Sequence, residues 1–139
     1  MDFVAQNIFL ITIAIVSGVA LFLPVLRDAR ALNTVTPGQA VMLLNRQNAL
    51  IVDVRDAGEL ESGKIADALH IPLAELSDRM GELGKNKSRP LVLVCASGSR
   101  SGKGVALLRK AGYEQAFNLD GGIKAWKDAG QPVVSGKKT

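Results

Sequence analysis

Short apolar runs alternate with segments of helical character along most of the chain, and this alternation constrains the fold more than any other feature. Residues 50–54 and Leu91–Val94 are aliphatic and rich in β-branched side chains, as buried strands are. Residues 69–71 and Ala116–Leu119 predict two shorter strands. Strands that alternate with helices predict an α/β fold, in which helices flank a mainly parallel central sheet.

The first helix of this fold has a clear start signal. Thr36 is followed by Pro37 and then by Gln39, which is the form of a capping box with proline in the first helical turn. This pattern predicts a helix over residues 40–44 and places the start of the domain near Asn33. Further helical segments are predicted at residues 57–62, ended by Gly63, at 73–83, at 105–111, capped by Gly112, and at 123–129.

The N-terminal segment differs from the rest of the chain. Residues 3–26 contain no charged side chain and are almost wholly apolar from Ile8 onward, which is enough for the roughly 20 residues that cross a bilayer as a helix. We therefore assign residues 1–32 to a transmembrane anchor with a short linker, residues 33–134 to the α/β domain, and residues 135–139 to a flexible tail.

Two other interpretations of the apolar run are a cleaved signal peptide and a buried core helix. A signal peptide normally begins with basic residues, whereas Asp2 is the only charged side chain before this run. A core helix that is apolar on every face would exceed what a small domain can cover. Because Arg27 and Arg30 follow the run and no Lys or Arg precedes it, the positive-inside rule predicts a single-pass inner-membrane protein with a cytoplasmic domain.

Charge and cysteine content exclude several classes of function. The net charge of +4 comes from scattered Lys and Arg residues without a basic, aromatic stripe, so nucleic-acid binding is not expected. One Cys and one His can form neither an internal disulfide nor an ordinary structural zinc site. The cysteine, Cys95, is therefore either an inert buried thiol or a reactive one.

The loop that follows the clearest strand is the candidate site, and it consists of Cys95, Ala96, Ser97, Gly98, Ser99 and Arg100. It lies between a strand and a helix, where α/β sheets bind their ligands. A small, glycine-containing loop there can direct backbone N–H groups at one point, beside the positive end of a helix dipole. Both features favour a thiolate, so Cys95 is predicted to be nucleophilic at neutral pH. Arg100 is suited either to holding an anionic substrate or to bracing the loop.

A cysteine at the end of a strand is, by itself, more often a packing residue than a catalytic one. Three features of the context favour catalysis: the flanking strand and helix, the small residues between them, and the lack of any other strong nucleophile constellation in the chain.

Four sequence elements, in order, resemble the rhodanese family over residues 34–134. The first is Asp53-Val54-Arg55, and the second is the stretch 63–72, which resembles the family's Gly-His-Ile-x-Gly-Ala-x-x-Ile-Pro element. The third is the Cys-x-x-Gly-x-Arg loop from Cys95 to Arg100, and the fourth is Gly121-Gly122 followed by Trp126. Lys64 and Asp67 depart from the family pattern, where His and Gly are common. Both departures lie outside the nucleophile loop, so they affect the expected local turn and not the chemistry.

The resemblance implies a rhodanese-type sulfurtransferase that needs no metal or organic cofactor. The thiolate of Cys95 would take sulfane sulfur from a donor such as thiosulfate, become a persulfide, and pass the sulfur to a thiophilic acceptor, either a small molecule or a protein thiol. Asp53 and Arg55 are expected to support the site by orienting the backbone. His70 is expected to be a satisfied sheet residue, and Trp126 a core residue.

Two rival functions follow from the same loop. Phosphatases of related shape have one more residue between Cys and Arg, so that their loop fits a tetrahedral phosphate, and the shorter loop here favours a single sulfur atom. The other rival is a membrane-tethered module that presents a persulfide or docks a partner with little turnover. The presence of both Cys95 and Arg100 favours chemistry, because a docking domain needs neither.

Overall fold

The computed structural model describes residues 2–135, with the backbone alone for residues 25–32. The described residues divide into two compact units, with the division between Leu32 and Asn33. The tail predicted at residues 135–139 lies outside the described residues except for Ser135.

The N-terminal unit consists of two helices, α1 (Asp2–Gln6) and α2 (Ile8–Leu32). They are separated at Asn7, whose side-chain Nδ2 donates a hydrogen bond of 2.8 Å to the carbonyl of Phe3. Pro24, which lacks a backbone donor, lies inside α2. The prediction of a membrane-spanning helix over residues 3–26 is not supported, because within the described residues no helix is both long and apolar enough to cross a membrane.

The second unit is built on a sheet of five parallel strands, as the alternation of strands and helices predicts. The strands are β1 (Thr34–Val35), β2 (Leu50–Asp53), β3 (Leu69–His70), β4 (Leu91–Val94) and β5 (Ala116–Leu119). Their order in the sheet is β1-β5-β4-β2-β3, and every pairing is parallel. The two-residue β1 was not predicted, since it is too short to show a period. β4 lies at the centre, so its carboxyl end opens at the middle of one sheet edge.

Three helices connect and cover these strands: α3 (Pro37–Gln47), α4 (Ser99–Lys110) and α5 (Gly122–Asp128). The capping box predicted at the start of α3 is confirmed. The Thr36 hydroxyl accepts from the Gln39 N–H at 3.2 Å, and the Gln39 side chain accepts from the Thr36 N–H at 2.9 Å. The predicted turns after β2 are a 3-10 helix over Ala57–Ser62 that ends at Gly63.

The helix predicted over residues 73–83 is wrong. Two 3-10 turns, Leu73–Glu75 and Met80–Leu83, occupy this stretch, and the backbone leaves helical geometry at Arg79 with φ −112°. Gly81 weakens a continuous helix here. The apolar residues nevertheless reach the core, as the helical spacing implied, because Leu76 and Leu83 are buried from separate turns.

The sheet has an apolar core on each face, and the alternation of side chains along β4 feeds both. Leu91 and Leu93 pack on the face that also holds Val105 and Leu108 of α4. Val92 and Val94 pack on the opposite face with residues of α3 and α5, and Trp126 belongs to that core, as predicted. Because successive side chains of a strand point to opposite faces, the residue after Val94 points toward α4.

Candidate active site

Cys95 is that residue, and its position follows from the period of the strand. It is fully buried, in the same core cluster as Leu93 and Val105. The chain turns immediately after Cys95, and α4 begins at Ser99. The sulfur is therefore placed at the carboxyl end of the central strand and at the N-terminal end of a helix, where helix dipoles favour negative charge.

Two hydrogen-bond donors with direct contacts to the sulfur come from the loop and from the first turn of α4. The backbone N–H of Gly98 lies 2.9 Å from Cys95 Sγ, and the hydroxyl of Ser101 lies 3.3 Å from it. Burial alone raises the pKa of the thiol, but hydrogen bonds from the Ser101 side chain and from the N–H groups of Ser101, Ser97 and Gly98 outweigh it, so the pKa of Cys95 lies below its ordinary value. These contacts stabilise the thiolate, which is the nucleophilic form.

Glycines shape the loop at two points. Gly98 adopts φ +104°, a conformation that other residues rarely reach, and this aims its N–H at the sulfur. On the other side the N–H of Ile123 donates to the Cys95 carbonyl at 2.8 Å. Gly122, with φ +61°, passes so close that a Cβ there would collide with the backbone of Cys95 and Ala96. The start of α5 therefore packs directly on the loop.

A side-chain network links the loop to β5. Asn118 Nδ2 donates to the Gly98 carbonyl at 2.9 Å. Its Oδ1 also lies within hydrogen-bond distance of the Ser101 hydroxyl, so Asn118 and Cys95 Sγ are alternative acceptors for the single hydroxyl proton. Side chains two positions apart on a strand point to the same face of the sheet, so Asn118 lies on the same face as Ala116. Cys95 packs in the same core cluster as Ala116 and therefore lies on that face too. Ser101 is fully buried between Cys95 and Asn118.

Arg100 is paired with an acidic side chain. Its guanidinium makes a two-pronged ion pair with the carboxylate of Glu59, with Nη2 2.8 Å from Oε2. The hydrogen bond from Arg100 holds the pKa of Glu59 at about 2, and the same contact raises the pKa of Arg100 further above its ordinary value. The pair joins the start of α4 to the 3-10 helix Ala57–Ser62, which fits the bracing role among the two that the sequence left open for Arg100.

A second ion pair, between Asp53 and Arg55, lies in the interior. Arg55 is 2% exposed, and its Nη2 lies 2.7 Å from Asp53 Oδ2 and 2.9 Å from the Gly63 carbonyl. Its backbone carbonyl accepts a 2.7 Å hydrogen bond from His70 Nε2, which accounts for the polar group of that sheet residue. The buried guanidinium of Arg55 thus links Asp53 to Gly63 and stabilises the backbone between them. Glu59, which pairs with Arg100, lies in that segment.

The residues predicted for the site thus form two groups. Residues 95–100 form one loop around the sulfur, while the side chains of Asp53 and Arg55 bond to each other and to the backbone of the 53–63 segment. Three residues were missed by sequence reasoning: Ser101, Asn118 and Glu59. For Asn118 a signal existed, since it follows Ala116 by two positions at the carboxyl end of a strand beside β4.

Comparison with known proteins agrees with this geometry. The family profile described as Rhodanese-like domain matches residues 36–129. The chain belongs to the rhodanese-like domain family.

Three relatives of this rhodanese-like domain are matched over most of their own length. A sulfurtransferase of Allochromatium vinosum is 40% identical over 93 residues, which cover 67% of this chain and 85% of the relative. A thiosulfate sulfurtransferase of Pseudomonas savastanoi is 33% identical over 91 residues, which cover 66% of this chain and 84% of the relative. The crystal structure of a rhodanese-related protein from Thermoplasma volcanium superimposes with a TM-score of 0.66 at 28% identity, covering 73% of this chain and 97% of that one.

The two departures from the rhodanese pattern have a structural setting. Asp67, where Gly is common, adopts φ +62°, which Asp tolerates better than most residues. Lys64, where His is common, forms an antiparallel bridge with Val134 through backbone hydrogen bonds of 2.9 and 2.7 Å. Asp67 therefore adopts the left-handed position of the turn, and the contact at Lys64 is made by the backbone.

Proposed function

We propose that this rhodanese-like domain is a sulfurtransferase that carries sulfane sulfur as a persulfide on Cys95. The observation that carries the proposal is the pair of hydrogen bonds that Gly98 and Ser101 donate to Cys95 Sγ, at the carboxyl end of β4 and the start of α4. Donors fixed in this way stabilise a charged sulfur without having to reorganise. The names of the two sulfurtransferase relatives support the same chemistry.

The reaction has two displacement steps. In the first, the Cys95 thiolate attacks the outer sulfur of thiosulfate, the S–S bond of the donor breaks, and sulfite leaves with the bonding electron pair. In the second, a thiolate or another thiophilic acceptor attacks the terminal sulfur of the persulfide, and Cys95 leaves as a thiolate. The terminal sulfur of the persulfide carries the negative charge between the steps, where the loop N–H groups and the dipole of α4 can stabilise it.

The rival functions fit the same residues less well. A docking module does not require a thiol whose pKa is lowered by hydrogen bonds, and here the loop supplies those bonds at the expense of a left-handed Gly98. A phosphatase requires an arginine that faces the phosphate, whereas Arg100 is engaged by Glu59.

The proposal is tested by sulfur transfer from a sulfane donor to a thiophilic acceptor. Cys95→Ser should abolish transfer while the circular dichroism spectrum stays unchanged, because a serine hydroxyl is not ionised at neutral pH and accepts sulfur poorly. Full transfer activity in Cys95→Ser would refute the proposal, because the chain has no second cysteine.

Membrane attachment is a separate proposal, which rests on the apolar sequence. Residues 3–26 carry no charge, and the described apolar side chains of α2, among them Phe9, Leu21 and Phe22, are strongly exposed. A lipid phase would cover such side chains. Arg27 and Arg30 then favour an inner-membrane protein with the rhodanese-like domain on the cytoplasmic side.

Fractionation of cells that express the full chain tests this proposal. We expect the full chain in the membrane fraction after alkaline carbonate washing, and residues 33–139 in the supernatant. A membrane-impermeant thiol reagent should label Cys95 only after lysis, so labelling in intact cells would contradict the cytoplasmic orientation. Recovery of the full chain in the supernatant would contradict membrane attachment.

A further inference from the structure

The charge around Arg100 bears on which sulfur donor the site accepts. A free arginine beside Cys95 would attract a dianion such as thiosulfate, because guanidinium groups pair with anionic oxygens in a two-pronged geometry. In this protein Glu59 already occupies that geometry on Arg100. Both side chains remain about one third exposed, at 35% for Arg100 and 34% for Glu59, so the pair lies at the rim of the site.

The other charged groups near Arg100 make the rim more negative. Asp56 and the Cys95 thiolate act on Arg100 together with Glu59, and Arg55 acts on Glu59. Arg55 is itself neutralised by Asp53, with which it forms a buried ion pair.

Arg100 is thus opposed by the carboxylate with which it pairs and by the negative field of Asp56, so it offers a dianionic donor little net positive charge. Glu59 stays ionised throughout the neutral range, because its pKa is about 2.

From this arrangement we infer that Glu59 determines donor specificity. Because Glu59 pairs with Arg100, the site disfavours dianionic donors and favours sulfane donors of lower charge, such as thiol persulfides. This inference rests on the proposed sulfur transfer and deepens it, since it names the class of donor. Thiosulfate then serves as a donor that must compete with Glu59 for Arg100.

The chemistry of the loading step is the same for both classes of donor. With a persulfide anion, the Cys95 thiolate attacks the outer sulfur, the donor S–S bond breaks, and a thiolate leaves. With thiosulfate, sulfite leaves instead. In each case one S–S bond forms, one breaks, and total charge is conserved, so a difference between donors reflects charge at binding and leaving-group chemistry.

A matched donor pair isolates the charge. Methanethiosulfonate resembles thiosulfate except that a methyl group replaces one anionic oxygen, so it carries one negative charge fewer. The measurement is the ratio of kcat/KM for the two donors, obtained with the full chain. The ratio also cancels any change in the thiolate fraction of Cys95, since that fraction affects both donors equally.

The variant is Glu59→Gln, which keeps the shape of the side chain but removes its charge. The glutamine also keeps an oxygen that can accept the hydrogen bond of 3.4 Å that the Asp56 N–H donates to Glu59. The matched control is Glu61→Gln, which removes the same charge from an exposed position on the same 3-10 helix. Thermal unfolding of both variants checks that the fold is retained.

We expect the wild type to prefer methanethiosulfonate, and Glu59→Gln to reduce that preference about tenfold through a lower KM for thiosulfate, an effect that added salt weakens. Glu61→Gln should leave the ratio within about twofold of the wild-type value.

An unchanged ratio in Glu59→Gln, or a wild-type preference for thiosulfate, would overturn this inference alone while leaving sulfur transfer intact. Failure of both donors to load Cys95 in the wild type would overturn the proposed function, and the inference with it.

Discussion

At the scale of single residues, the reactivity of Cys95 depends on how one hydroxyl proton is shared. The Ser101 hydroxyl can donate to Cys95 Sγ or to Asn118 Oδ1, since both lie within hydrogen-bond distance. The amide of Asn118 is fixed by its bond to the Gly98 carbonyl, so Oδ1 must face Ser101. A thiolate is the stronger acceptor of the two, because hydrogen bonds to charged groups are the stronger ones.

Ser101→Ala should therefore raise the pKa of Cys95. Loss of one hydrogen bond to a charged group costs about 1.5 kcal/mol, so alkylation of Cys95 by iodoacetamide at neutral pH should slow about tenfold. Alkylation rates measured against pH report the change. Ser97→Ala is the matched control, because Ser97 acts on the sulfur through its backbone N–H, which the substitution keeps. Identical pH profiles for the wild type and Ser101→Ala would contradict this role.

Residue-scale prediction from sequence succeeded where the signal is local. Cys95 and its loop follow from an apolar strand that runs into small residues before a helix. Ser101 and Glu59 were missed because their roles depend on partners that are distant in sequence, since 17 residues separate Ser101 from Asn118 and 41 separate Glu59 from Arg100. Tertiary packing alone brings such partners together.

At the scale of elements, the loop is held between the start of α4 and the start of α5. Gly122→Ala should be costly, because its Cβ would meet the backbone of Cys95 and Ala96, which cannot move without moving the sulfur. Gly130→Ala is the matched control, since Gly130 has a similar φ of +77° but open space around it.

In thermal or urea unfolding we expect Gly130→Ala to lower the free energy of unfolding by about 1 kcal/mol, because its backbone is left-handed. Gly122→Ala should lower the free energy of unfolding by about 3 kcal/mol and should also slow the loading of sulfur onto Cys95. Equal losses for the two variants would show that the contact between α5 and the loop contributes nothing.

The ion pair between Glu59 and Arg100 joins the 3-10 helix Ala57–Ser62 to α4, and it makes stability depend on pH. The pKa of Glu59 falls from its ordinary value of 4.5 to about 2 in the folded protein. Its stabilisation is therefore complete above about pH 4.5 and is lost as the pH falls toward 2.

Because the pair is partly exposed, we expect this contribution to be about 1 kcal/mol. Urea unfolding at pH 7 and pH 3 measures it, and Glu59→Gln should lose stability at pH 7 but show a smaller loss between the two pH values. An identical acid-induced loss in Glu59→Gln would contradict this account.

Element prediction failed where apolar spacing was taken as sufficient for a helix. Leu73, Leu76, Met80 and Leu83 have helical spacing, yet the chain forms two separate 3-10 turns. Spacing reports which residues face the core, and both Leu76 and Leu83 are buried. The backbone between them is decided by local propensity and by the turns the sheet requires.

At the scale of the whole molecule, the parallel order β1-β5-β4-β2-β3 places the carboxyl end of β4 between β2 and β5. This explains why groups from several parts of the sequence meet at Cys95: Arg100 follows β4, Asn118 lies on β5, and Glu59 follows β2. Sequence alone predicted the mainly parallel sheet, because its strands alternate with helices, but it did not predict the order of the strands.

Both apolar cores of the sheet are formed by residues from position 35 onward. Residues 33–139 alone should therefore fold and unfold cooperatively, with a melting temperature close to that of the same unit in the full chain. Aggregation of this shortened chain under conditions in which the full chain stays folded would contradict the boundary at Asn33.

The most direct test of the central claim is the intact mass of the protein after brief exposure to a sulfane donor. We predict that the wild type gains the mass of one sulfur atom, that peptide mapping places it on Cys95, and that a thiol acceptor removes it. Cys95→Ser should gain nothing under the same conditions. A wild-type protein that gains no sulfur, or a Cys95→Ser variant that gains as much as the wild type, would contradict the account.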